Sequence, residues 1–226
     1  MSPVFPPLVS QLQKIIERTY ALPGSVPDAG RFILGDEGYR RIVARGAGPV
    51  RVVGSGSGAC LLLRPPGAGG PWRAAIYYPD ALIERLETDP PSSGLHDGNI
   101  DDFAVLVEEL DHFLCVAERL RLGRSFSLLE LELQANVTKF LAAAHWLRRS
   151  RGGRSGDVER RWLLWQLFDK GDYADPDPRV AARYRDARRF AVRFLRRIEP
   201  LRAVERLGAL RRFHRQSHAQ KLALLS

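Results

Sequence analysis

Cysteine is scarce in this chain, with 2 among 226 residues. Cys60 and Cys115 both lie in apolar surroundings, which excludes a disulfide framework or a cysteine-rich zinc module and points to buried thiols in a reducing compartment. Long apolar runs are also missing. No stretch approaches the roughly 20 residues that a membrane-crossing helix requires, so membrane insertion is not expected. Met1 to Pro7 lacks the basic start and apolar stretch of a secretory leader, and the expected location is cytoplasmic. There is no internal repeat and no G-x-S-x-G element, so a serine hydrolase of that kind is not indicated. Gly54-Ser55-Gly56-Ser57-Gly58 has the wrong spacing for a dinucleotide loop, and an apolar strand-like stretch follows it. A phosphate cradle would need a helix N-terminus there.

Charge is present in quantity but placed unevenly. The net charge is +9. From Arg148 onward there are 21 basic and 9 acidic residues, a net of +12, and the preceding residues sum to −3. A near-neutral N-terminal part is thus joined to a strongly basic C-terminal part. Such asymmetry suits nucleic acid or another anionic surface, and equally suits solvated helix faces in an arginine-rich protein.

The apolar pattern predicts an α+β fold. Val9 to Tyr20 has helical spacing and is closed by Pro23-Gly24. Short runs at Arg31–Leu34, Val50–Val53, Ala59–Leu63 and Trp72–Tyr78 are expected as strands of a small antiparallel sheet. The glycine run would be a hairpin turn, and Pro65 to Pro71 a second turn. Asp80 is a candidate N-cap for a short helix to Glu87, and Asn99 for a long one ending near Leu122 at Gly123. Ser127 and Glu130 form a capping-box pattern for the next helix, to about Arg149. Arg151 to Gly156 is a polar break. Beyond it, helices are expected at Val158–Phe168, from Pro178 to about Ile198, and after Pro200 to near the end. The expected organisation is a domain over residues 1–150 with a basic helical extension over 151–226.

The chemistry-bearing residues sit in the two central helices. Glu108-Glu109-Leu110-Asp111-His112 resembles H-E-x-x-H with glutamate in place of the first histidine. Residues four apart share a helix face, so Glu108 and His112 can reach one ion, and Glu109 projects about 100° further round toward its bound water. Glu132 on the next helix can supply a third ligand. Adjacent glutamates inside an apolar helix are costly unless paired, protonated or metal-bound.

The runs V-E-E-L-D-H-F-L and L-E-L-Q-A-N-V-T-K-F-L resemble the ImmA/IrrE-like zinc metallopeptidases. In that family H-E-x-x-H lies on one helix and E-x-x-A-N or E-x-x-A-D on the next, after a small sheet. The resemblance covers roughly residues 72–147. It implies a zincin-like fold and a peptide or protein substrate, with Glu109 as general base and His112 and Glu132 as ligands. Glu108 departs from the pattern. A Glu/His/Glu set carries one more negative charge than His/His/Glu, which weakens the Lewis acidity of zinc and favours harder divalent ions such as manganese. The alternatives are an altered-metal peptidase, a pseudoenzyme, or a metal-free site with its glutamates bonded to arginines or facing solvent.

Other candidates are weaker. Glu109-x-x-His112 is half of a di-iron signature, and no second E-x-x-H occurs. His214 and His218 are four apart in an arginine-rich stretch and are expected on a solvated face. His96-Asp97 could approach the site mouth or form a turn, and His145 is expected to be structural. A non-enzymatic alternative rests on Arg188, Arg189, Arg193, Arg196 and Arg197, a basic surface for nucleic acid or an acidic protein partner.

Overall fold

The computed structural model describes residues 5–22, 24, 27–44, 51–53, 58–66, 70–153, 156–171 and 176–225. Its elements in order are α1 (Phe5–Tyr20), β1 (Ile33–Leu34), α2 (Asp36–Ala44), β2 (Arg51–Val53), β3 (Cys60–Arg64), β4 (Arg73–Tyr77), α3 (Asp80–Thr88), α4 (Ile100–Arg121), α5 (Leu128–Ser150), α6 (Asp157–Leu164), α7 (Pro178–Ile198), α8 (Ala203–Arg215) and α9 (His218–Leu225). The class is α+β, as the pattern predicts. Among the described residues, no helix is long and apolar enough to cross a membrane.

The sheet differs from expectation in one respect. Its order is β1-β4-β3-β2. β2/β3 and β3/β4 are antiparallel, with Leu61 opposite both Val53 and Ile76, but β1 runs parallel to β4. The sheet is therefore mixed. No hairpin joins β1 to its neighbour: α2, β2 and β3 intervene, so the chain can return to the β1 edge in the same direction. Residues 54–57 and 67–69, which include most of the two expected turns, lie outside the described residues.

The helix ends follow local chemistry. α4 stops where Gly123 takes φ 63°, with Gly123 N donating to Leu120 O and Arg124 N to Arg119 O, the left-handed terminus that glycine adopts without strain. Ser127 Oγ caps α5 by accepting from Glu130 N at 3.1 Å. The Glu130 side chain is used elsewhere, so the box is half formed. Asp177 caps α7 through Arg179 N at 2.8 Å, with Pro178 at the first helical position. Two expected caps make no capping bond, although Asn99 does hold the N-cap position of α4. Pro79 precedes α3, and Asp80 Oδ1 instead accepts from Asp36 N at 3.2 Å. Asn99 bonds backward, accepting from His96 N and donating to Gly94 O. Beyond Pro200 there are two helices, α8 and α9, where one was expected.

One hydrophobic core unites these elements. It includes Leu12 and Ile16 of α1, Leu61 and Ile76 of the sheet, Phe103 and Leu110 of α4, Val137 of α5, and Phe194 and Phe213 of α7 and α8. Tyr78, just after β4, donates to Leu106 O at 2.8 Å and fastens the sheet to α4. α5 lies between α4 on one side and α7 on the other. Both cysteines are buried and free.

Candidate metal centre

α4 and α5 are buried along most of their length, and the acidic residues and histidine of segments 108–112 and 130–132 are largely cut off from water. Glu108, Glu109, His112 and Glu132 are all buried, and Glu109 and His112 have no measurable exposure. One potential ligand atom each from Glu108, Glu109 and His112 lies within 4.8 Å of the others. From the neighbouring helix, Glu132 Oε2 approaches His112 Nε2 to 3.7 Å. Glu108, Glu109 and His112 of α4 are therefore gathered in one group, and Glu132 of α5 meets it at His112.

Their bonding is incomplete. Among the described residues, neither oxygen of Glu109, neither ring nitrogen of His112, nor Oε1 of Glu132 has a well-aligned hydrogen-bond partner, although the Leu61 backbone lies close enough to Glu109 to favour its charged form. Burial of this kind normally costs a polar group about 1–3 kcal/mol. Burial, with the charges of Glu108 and Glu132, holds the Glu109 carboxyl well above the usual carboxylate range, and Lys139 and the nearby Leu61 backbone act the other way. Glu132 is also pushed up, by burial and by Glu108, with the Tyr184 hydroxyl among the groups that favour its charged form. His112 is lowered to about 4, chiefly by burial. Its imidazole is thus neutral near pH 7, the form that can ligate a metal, and its contact with Glu132 is not an ion pair.

Glu108 is treated differently. Lys139 Nζ donates to its Oε2 at 2.5 Å. Lys139 was not among the residues singled out, although the spacing Glu132, Asn136, Lys139 places all three on one face of α5. Among the described residues the glutamates are buried, and the cation bonded to Glu108 is Lys139, with Arg183 among the charges that act on Glu132 and His112. Asn136 donates to the Glu132 carbonyl at 2.9 Å.

The chain matches no protein-family model, no curated protein and no solved structure. The chemistry of the site therefore rests on its own residues. Two carboxylates and a neutral imidazole with unsatisfied atoms form a donor set that fits a divalent cation, since zinc and manganese take imidazole and carboxylate ligands.

The C-terminal helices cover this centre. A cavity of about 280 Å³ reaches Glu108 and Lys139 between α5, the segment after α6 and α7, with Gln166, Lys170, Tyr184 and Arg188 in its lining. That segment, Trp165–Asp169, is a π-helical turn. It is tied down by Lys170 on Asp101 at 2.6 Å and by Gln166 on Asp97.

The remaining candidates lie elsewhere. Asp97 accepts from Trp162 Nε1 at 2.8 Å, and His96 pairs with Asp89 at 3.1 Å. His214 and His218 do not share a helix face. His214 is buried in α8, stacked on Tyr20 and 2.5 Å from Glu118 Oε2, whereas His218 opens α9 and meets Ser127 Oγ at 3.0 Å. The expected solvated face fails for His214 because a carboxylate 96 residues away in sequence closes over it. Among the arginines, Arg188, Arg189, Arg193 and Arg196 line one groove with Arg185 and Asp169. Arg197 points away and donates to Leu224 O at 2.8 Å.

Proposed function

We propose that this chain is a zincin-like metal-binding protein whose degenerate peptidase site holds a divalent ion in a closed environment and does not turn over peptides in this conformation. The observation that carries the reading is the full burial of Glu109 and His112 with all their polar side-chain atoms unpartnered. Unsatisfied groups support a cation as their partner, and burial argues against a substrate in contact with the base. Glu108, His112 and Glu132 would hold the ion. When bound, it would supply a Lewis acid and offset the carboxylate charge. Glu109 then sits beside it as the group able to take or hold a proton, and Glu108 in place of histidine biases the set toward manganese over zinc.

Metal analysis of protein purified without chelator, followed by titration with zinc and manganese, tests this reading. Glu109→Gln should retain metal, whereas His112→Ala should lose it. Glu108→His should tighten zinc binding. Wild-type protein that arrives metal-free and takes up neither ion would remove the reading.

A second reading has its own observation. α7 buries Ala181, Tyr184, Ala187, Ala191, Phe194 and Leu195 and turns Arg185, Arg188, Arg189, Arg193 and Arg196 toward one groove. That is a linear array of guanidinium groups suited to phosphates. Binding of single-stranded nucleic acid should weaken steeply with salt. Arg193→Glu should reduce the salt dependence by about one counterion or more, with little effect of base sequence. No binding at low salt would exclude this surface as a nucleic-acid site.

A further inference from the structure

We propose that Lys139 is a built-in counter-ion that competes with the divalent metal for Glu108, so that the centre holds either the lysine ammonium or a metal ion on that carboxylate. The inference rests on the metal-binding reading above and concerns its regulation. Lys139 Nζ is 2.5 Å from Glu108 Oε2, and both side chains are largely buried, at 13% and 6% exposure. A metal ligated by carboxylate sits about 2.0–2.2 Å from its oxygen. An ammonium already donating to that carboxylate would then lie within a few ångströms of a doubly charged ion. In a largely buried setting this repulsion is weakly screened, and the two cations exclude one another.

The fold gives the lysine somewhere to go. Lys139 keeps some exposure and lines the cavity of about 280 Å³ that also reaches Glu108. Rotation of its flexible four-carbon stem into that space vacates the carboxylate without moving α5. Leaving is not free of cost, because Lys170 and Arg188 line the same cavity. Lys170 is held by Asp101 and Arg188 by Asp169, and Glu108 is the one carboxylate among the described residues that line the cavity, so the metal must displace a cation from its nearest anion. Replacement of the first histidine by Glu108 and the presence of Lys139 are then two parts of one arrangement. The glutamate adds a negative charge and the lysine neutralises it whenever metal is scarce.

The test is calorimetric titration of zinc and manganese into the full chain as wild type, Lys139→Met, Lys139→Arg and His112→Ala. Lys139→Met should bind metal about tenfold or more tightly than wild type, as expected for removal of a nearby weakly screened charge. Lys139→Arg should stay near the wild-type affinity, and His112→Ala should bind neither ion. A second readout uses wild-type protein alone, so it survives a failure of any variant to fold. Labelling of the Lys139 amine by an acylating reagent, followed by peptide mass analysis, should rise when zinc is added. In metal-free protein it should rise in Glu108→Gln. Equal metal affinity of wild type and Lys139→Met, with His112→Ala inactive in binding, would overturn the role of Lys139 and leave the metal site standing. Binding by Lys139→Met alone would support it strongly, as would zinc-dependent labelling. No uptake by either protein would overturn both readings, and labelling indifferent to zinc would overturn this one.

Discussion

The two sides of α5 carry similar residues to different ends. One side presents Glu132, Asn136 and Lys139, and the other presents Glu130, Gln134 and Thr138. On the second side the charges are closed upon one another. Glu130 Oε1 accepts from Arg119 at 2.6 Å and Lys221 at 3.2 Å, and Arg119 also donates to the carbonyls of His214 and Gln216. Tyr20, Thr138 and Asp111 form a chain of hydrogen bonds at 2.8 and 2.7 Å. Asp111 Oδ2, Arg119 Nε, Gln134 Nε2 and His214 Nδ1 lack partners there, but each of these side chains keeps a bond through another of its atoms. On the first side Glu109 and His112 keep none. Glu130 and Glu132 are equally buried, at 2% and 1% exposure, so burial alone does not separate the two carboxylates. The difference lies in whether the protein itself supplies the partners. The satisfied side fastens α1, α8 and α9 to the core, and the unsatisfied side is the one left open to an ion.

Breaking the satisfied side should have the largest effect. Arg119→Ala leaves Glu130 with Lys221 as its remaining cation and frees the end of α8. A loss of about 3–5 kcal/mol is expected, as for removal of one partner from a buried ion pair, measured by urea unfolding. A loss below 1 kcal/mol would mean that the network is not what holds the C-terminal helices.

The open side should instead respond to metal. At a hundredfold excess over its dissociation constant, an ion bound only to the folded state adds about 2.7 kcal/mol. Thermal unfolding should therefore shift upward with manganese or zinc in the wild type and not in His112→Ala. An equal shift in both would place the ion elsewhere.

A pH series sharpens the contrast further. The folded-state pKa values of Glu109 and Glu132 are raised, the latter to about 8, and that of Asp111 to about 7, each first by burial. The stability these groups contribute is present at acid pH and is lost as pH rises through the folded values. His112, lowered to about 4 from 6.5, acts in the opposite sense, but only below about 6.5. Between pH 6.5 and 8 the carboxyls dominate this group, and metal-free protein should lose stability by up to about 1.4 kcal/mol per pH unit for each proton released. Glu132→Gln should reduce the slope, and saturating metal should reduce it further, leaving the part that Asp111 contributes on the other side of α5. A flat profile in metal-free wild type would show that these carboxyls ionise without cost.

The smallest change is expected from Glu109→Gln without metal. It replaces a costly carboxyl by a neutral amide and should leave stability unchanged or raise it by about 1 kcal/mol. A large destabilisation would reassign Glu109 to the fold.

Much of this contrast was legible from local pattern. The apolar stretches flanking Glu108–His112 and Glu132 placed both helices to within a few residues, because Asn99, Gly123 and Ser127 punctuate them. Acidic residues within apolar helices marked the centre. Lys139 was missed because the motif stops at Asn136, although its helical spacing was there to be read. Glu118 with His214, and Glu130 with Lys221, depend on contacts across 96 and 91 residues that no periodicity reports. α2 escaped notice because it is short and contains Gly38, a poor helix former. The parallel β1 was hidden for a different reason: a two-residue strand has too little alternation to declare its direction.

The seating of α7 over α5, with Tyr184 against Glu132, has a consequence in time as well as in space. An ion beneath it would be out of a chelator's reach on the side of Glu109 and His112, which have no exposure, and approachable only through the cavity lined by Glu108, Lys139 and Tyr184. Release would then depend on widening that cavity, a local opening governed by the packing of α7 and the π-helical turn. The rate of metal loss should therefore level off as chelator concentration rises, reaching a ceiling set by the protein's own motion.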